Sequence, residues 1–114
     1  MKDLRGNETY VRGAMRPMGY AQYTSVSAST ASTLNTAPTT GVALSSFTPP
    51  NMPRIAVIVA ETQGYRYRDD GTAPTSSLGI PVSSGVVMVY DGQLETLQMI
   101  DQVAGGLINV AYYG

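Results

Sequence analysis

The stretch Arg54-Ile55-Ala56-Val57-Ile58-Val59-Ala60-Glu61-Thr62-Gln63-Gly64-Tyr65-Arg66-Tyr67-Arg68-Asp69-Asp70-Gly71 decides the fold. Ile55 to Ala60 is an unbroken apolar run, mostly β-branched, with turn formers on both sides, and it reads as a buried strand. Glu61 to Gly64 turns the chain. Tyr65 to Arg68 then alternates. Tyr65 and Tyr67 share one face and Arg66 and Arg68 the other, because successive side chains of a strand point to opposite sides. Asp69-Asp70-Gly71 turns the chain again: Asp tolerates left-handed dihedrals, and Gly meets no steric penalty there.

Toward the C-terminus the same grammar continues. Ala73-Pro74-Thr75-Ser76-Ser77 is loop, and Leu78 to Val82 is a short strand that Pro81 assigns to an edge or a strand end. Ser83-Ser84-Gly85 leads into Val86-Val87-Met88-Val89-Tyr90, read as a second buried strand. Asp91-Gly92 closes it with a dipeptide that favours tight hairpins. Between Gln93 and Val103 two periods compete. Leu94, Leu97, Ile100 and Val103 fit a helix, while Leu97 to Asp101 fits a strand; Gly105-Gly106 and the hairpin already begun select the strand. Leu107 to Tyr113 is the last strand. Strands about ten residues apart, punctuated by Gly, Pro and Asp, indicate a sandwich or barrel.

Toward the N-terminus the signal weakens. Three prolines in Thr48-Pro49-Pro50-Asn51-Met52-Pro53 remove backbone donors and set extended dihedrals, which marks a boundary. Gly41 to Phe47 is strand-like. Residues 24–53 are rich in Ser, Thr, Ala and Pro and have too few large apolar side chains for a core of their own, so they are expected to be disordered or extended unless something such as a sheet edge holds them. Tyr10 to Arg16 reads as a short strand ended by Pro17. The expected architecture is therefore all-β: a single antiparallel β-sandwich or jelly-roll domain with an extended N-terminal arm. The arm is residues 1–53 and the body residues 54–114; without the first fifty residues the body is expected to be folded or partly folded but unable to join its assembly.

At 114 residues the chain fits one domain. Charged residues make up 13% of it, against about 25% in ordinary soluble domains, which suits a surface covered by neighbours. The net charge of −1 supplies no field for nucleic acid. The halves differ, however. Residues 1–53 carry four basic residues, among them Arg12 and Arg16, against two acidic ones, for +2; residues 54–114 carry three against six, for −3. A positive arm lying on a neighbour's negative body is the contact this asymmetry suggests. The N-terminus lacks the apolar run of a secretory signal, and Ile55 to Ala60 is far short of the roughly 20 residues that span a bilayer.

Catalytic chemistry finds little to work with. With no Cys and no His, disulfides, thiolates and the usual zinc sites are excluded, and serine hydrolysis would need a lysine base. The only lysine is Lys2, at the terminus. Asp69 and Asp70 are sequence neighbours whose side chains diverge in an extended segment, so they do not make a paired-carboxylate site. Their spacing does not match an EF-hand calcium loop. Tyr65 to Arg68 has the aromatic and basic mixture of a single-strand nucleic-acid site, but the two aspartates cancel its field. No cofactor or metal is expected. The interaction candidates are Arg12, Arg16, Tyr65, Arg66, Tyr67, Arg68, Asp69 and Asp70. The tyrosines are expected to pack, and the arginines to pair with Asp69, Asp70 or the carboxylates of a neighbouring copy.

The run Arg66-Tyr67-Arg68-Asp69-Asp70-Gly71-Thr72-Ala73-Pro74-Thr75, followed by Leu78-Gly79-Ile80-Pro81-Val82 and the close Asn109-Val110-Ala111-Tyr112-Tyr113, resembles small virion proteins of tailed bacteriophages. The likeness covers residues 54–114. It implies a β-sandwich without enzymatic activity, located in a virion assembled in the host cytoplasm, with the major capsid protein or other virion subunits and further copies of itself as partners. A capsid decoration (cement) protein is the leading expectation. A neck, tail or fibre-attachment component is the alternative within that class. Outside it stands a carbohydrate-binding β-module using Tyr65, Tyr67, Tyr90, Tyr112 or Tyr113 as stacking platforms.

Overall fold

A computed structural model describes residues 15–114. They form an all-β sandwich of two antiparallel sheets. The strands in chain order are β1 (Pro17–Val26), β2 (Ser32–Thr33), β3 (Thr40–Gly41), β4 (Ile55–Glu61), β5 (Tyr65–Arg68), β6 (Ile80–Val82), β7 (Met88–Tyr90), β8 (Gln98–Asp101) and β9 (Gly106–Tyr113). One sheet has the order β3-β1-β9-β4-β7 and the other β2-β8-β5-β6.

The deciding stretch lies where its sequence puts it. β4 pairs along its whole length with β9, from Ile55 opposite Tyr113 to Glu61 opposite Leu107. The pleat sends Ala56, Ile58 and Ala60 into the core, fully buried, and turns Ile55, Val57 and Val59 to the outer face. From β9 come Ile108, Val110 and Tyr112, and from the facing sheet Tyr65 and Met99. Each such side chain contributes roughly 1.5–3 kcal/mol by leaving water. The Phe47 ring stands edge-on to Tyr112, with centroids 5.5 Å apart.

The first half is not an appendage to this body. β1 lies between β3 and β9 and pairs with β9 from Pro17 to Val26. It sends Ala21, Tyr23 and Val26 into the core, where Leu34 and Leu44 join them. The division at residue 53 is thereby corrected for residues 15–53; residues 1–14 lie outside the described part. Large apolar residues are sparse here because each fills one fixed place between the sheets. The Ser/Thr segments around them are held by short hydrogen bonds of their own, including Thr24 N to Thr39 Oγ1 at 3.1 Å, Thr30 N to Ser27 Oγ at 2.9 Å and Thr33 N to Thr36 Oγ1 at 3.0 Å. Side-chain oxygens that capture nearby N–H groups give an irregular segment a defined shape without a helix or long strand.

Four local expectations change as well. Pro17 opens a strand instead of ending one, since a strand's first residue need not donate to the ladder. Gly41 to Phe47 is mostly not strand: after Thr40–Gly41 the chain makes a 3₁₀ turn at Leu44–Ser46. Asp91-Gly92 forms no hairpin, because β7 and β8 belong to different sheets. Residues 91–97 cross between the sheets through a 3₁₀ turn at Leu94–Thr96, and burial of Leu94 and Leu97 fixes the crossing. Finally, Val86 to Tyr90 is not a buried strand. Only Met88–Tyr90 pairs, at a sheet edge, and Val86, Val87 and Val89 are exposed.

Candidate interaction surface

β5 carries the residue run that the sequence singles out, and the structure divides it. Tyr65 is fully buried, with its hydroxyl 3.9 Å from Met88 Sδ, and burial pushes its pKa well up. Tyr67 is partly buried against the same core. Tyr65 is thereby corrected as a contact candidate: no surface of it is left for a partner. The same holds for Tyr112, so two of the five proposed sugar-stacking platforms are inside the protein.

The arginines act on loops. Arg66 Nε donates to the Ser76 carbonyl at 3.1 Å, and its Nη1 to the Gly79 carbonyl at 2.9 Å. Arg66 therefore pairs with backbone and not with a carboxylate. A guanidinium can hold two carbonyls at once because its donors form a rigid planar fork. Gly79, at φ 138°, sits against Pro74 and Arg66, where a side chain would be strained. Arg68 grips Asp70 with two hydrogen bonds, of 3.2 and 2.6 Å. Asp70 Oδ1 also accepts the Thr72 N–H, and these bonds, the Arg68 one foremost, hold its carboxyl below the usual range. Asp69 Oδ2 accepts the Tyr90 hydroxyl at 2.8 Å. Partial burial and then this carboxylate push the tyrosine up to about 12.

The arginines and aspartates of the run are thus engaged within the chain. What it holds up is apolar. Leu78 is 59% exposed and Ile80 53% exposed, beside a depression that they share with Gly79, Arg68, Asp69 and Asp70. Ile80 lies in register with the inward-facing Tyr67, but it stands on the outermost strand, where the facing sheet no longer covers it. The hydrogen bonds from Tyr65 and Tyr90 place β7 over β5, so the free edges of β6 and β7 lie on one flank of the sandwich. Sheet edges are ordinarily blunted by charge, proline or a cover. Pro81 blunts β6; Val86 to Tyr90 contains no charge.

The remaining candidates lie apart from this flank. Arg12 falls outside the described residues. Arg16 is exposed at the opposite side of the five-stranded sheet, tied by its backbone to Gly114 at 2.8 and 3.0 Å, with β9 and β4 between it and β7. Sequence reasoning also passed over Asp101, which is fully buried in β8. Its Oδ2 accepts the Gly106 N–H at 2.8 Å, while Oδ1 has no partner among the described residues. Burial pushes its pKa up to about 6, offset in part by the Gly106 bond. Among the described residues no three acidic side chains cluster as metal ligands, and no helix is long and apolar enough to cross a membrane. No protein-family model matches the chain, and no curated protein or solved structure matches it significantly.

Proposed function

We propose that the chain is a structural subunit of a tailed-phage virion, of the capsid-decoration type, which acts by contact with the shell. The observation that carries this reading is the apolar pair Leu78 and Ile80, held out into solvent by a loop that Arg66 fixes at two carbonyls. A free loop would lose conformational entropy on binding; a loop already fixed loses less, and more of the contact energy appears as affinity. The likeness of residues 54–114 to small virion proteins supplies the setting, and the low charge suits a part surrounded by other subunits. Repetition over a shell turns a modest single contact into firm attachment.

The test uses purified particles assembled from the genome that encodes the chain. The expected result is a copy number approaching that of the major capsid protein, together with at least about a tenfold loss of the Leu78→Asp/Ile80→Asp double variant from particles, the equivalent of ~1.4 kcal/mol per site. Circular dichroism of the variant confirms that it is folded. A count of a dozen or fewer transfers the chain to the neck or tail, and particles that lack it altogether defeat the virion reading.

A further inference from the structure

The two sheets treat their outer faces differently. On the four-stranded sheet Ile100 stands opposite Arg66 in the register, yet it is 1% exposed and lies outside the main core cluster. The loop that Arg66 holds closes over this side. The five-stranded sheet has no such cover among the described residues. Its register lines up Tyr20, Ala111, Val57 and Val89 in one row straight across the outer face. Ile55 and Val59 flank Val57 on β4 and are only partly buried, while Val89 is 60% and Tyr20 45% exposed. An antiparallel sheet with one face in water ordinarily turns polar side chains to it. Here the middle of that face is aliphatic.

We propose that this face is the contact through which the chain pairs with a second copy of itself. Three observations favour that occupant. The first is charge: among the outward positions of β1, β4, β7 and β9, Glu61 at one corner is the single charged residue, and its carboxylate accepts a 2.7 Å hydrogen bond from Asn109. An uncharged face can meet its own copy without like-charge repulsion, and it offers nothing to attract a strongly charged partner. The second is layout. Tyr20 Oη and Gln22 Nε2 donate to Asn109 Oδ1 at 2.7 and 3.0 Å, so these side chains and Glu61 form one hydrogen-bonded network beside the aliphatic centre, as at the rim of an interface. The third is size and shape. Three strands about 24 Å long and the three-residue β7, all about 4.8 Å apart, give roughly 400 Å² in plan before side-chain relief is counted. The adjoining Val86 and Val87 extend it toward the roughly 800 Å² per partner of a standard interface. A second copy also presents a sheet of identical twist, and two such sheets stack face to face at about 30°.

This inference goes beyond the virion reading and does not depend on it. Sedimentation equilibrium of the full-length protein tests it. The wild type is expected to be a dimer. Val57→Lys, which sets a charge at the centre of each face, is expected to weaken association about a hundredfold or more while the far-UV spectrum stays native. If that variant does not fold, Val89→Lys at the exposed end of the row serves instead, and the same loss is expected. A wild type that stays monomeric overturns the proposal, whether the face is covered by the chain's own residues 1–14 or awaits a different protein. A folded lysine variant that associates like the wild type overturns it too.

Discussion

Asp101 shows how one buried group sets a pH dependence for the whole chain. Its folded pKa of about 6 lies above the ordinary 3.8. Below about pH 4 both folded and unfolded forms carry the proton. Between 4 and 6 the folded chain keeps a proton that the unfolded chain releases, so stability falls as pH rises; above 6 the full cost of the buried carboxylate is present, on the order of 3 kcal/mol. Asp101→Asn keeps the shape and removes the charge. Its stability relative to the wild type, measured by urea denaturation, is expected to rise by about that amount between pH 4 and pH 7. Equal pH dependence of the two proteins would show that the carboxyl is not desolvated. None of this was legible in the residue itself. The sequence places Asp101 on a strand, but its burial follows from its register opposite Tyr65 and from Gly106, whose missing side chain lets the carboxyl approach the backbone.

At the scale of elements, what the sequence announces depends on whether one chain segment contains the cause. The unbroken apolar run of β4 and the alternation of β5 are local, and both strands stand where they read. The hairpin expected at Asp91-Gly92 fails because the partner of β7 is β4, more than twenty-five residues away in sequence, and no local pattern states that. β3 is a similar case. It is two residues long and exists because Gly41 pairs with Ala21 at φ 93°, with no room for a side chain against the Tyr20 carbonyl. Gly71 has a similar φ of 86° but open space around its missing side chain. Alanine at Gly71 therefore meets only the left-handed penalty, about 1 kcal/mol. Alanine at Gly41 meets that penalty and also displaces β3 from β1, for an expected loss of at least about 2 kcal/mol. Urea midpoints of the two variants check the contrast, and equal shifts would mean that the β1–β3 contact is dispensable. The interaction surface follows the same rule. Val86, Val87 and Val89 read as core because apolar composition does not distinguish a strand covered on both sides from one left at an edge.

For the whole molecule, the question is whether residues 54–114 can stand alone, as their cleaner strand pattern suggests. The fold argues that they cannot. Of the fifteen residues in the core cluster, five come from the first half: Ala21, Tyr23, Val26, Leu34 and Leu44. Without them the three large aliphatic side chains and the tyrosine alone would forfeit roughly 6–12 kcal/mol of burial. Domains of this size are stable by only about 5–15 kcal/mol. The loss is also topological, because removing β1 turns β9 from an interior strand into an edge along the side where β1 runs for ten residues. An uncovered β9 would present its buried Ile108, Val110 and Tyr112 beside free backbone donors, the combination that drives edge-to-edge aggregation. The fragment 54–114 is therefore expected to give a disordered or aggregated amide spectrum by NMR, and addition of a separate 1–53 chain is expected to restore dispersed signals. A dispersed spectrum from 54–114 alone would mean that β8-β5-β6 packed on β9-β4-β7 suffice, and that β1 is fastened to a body already complete.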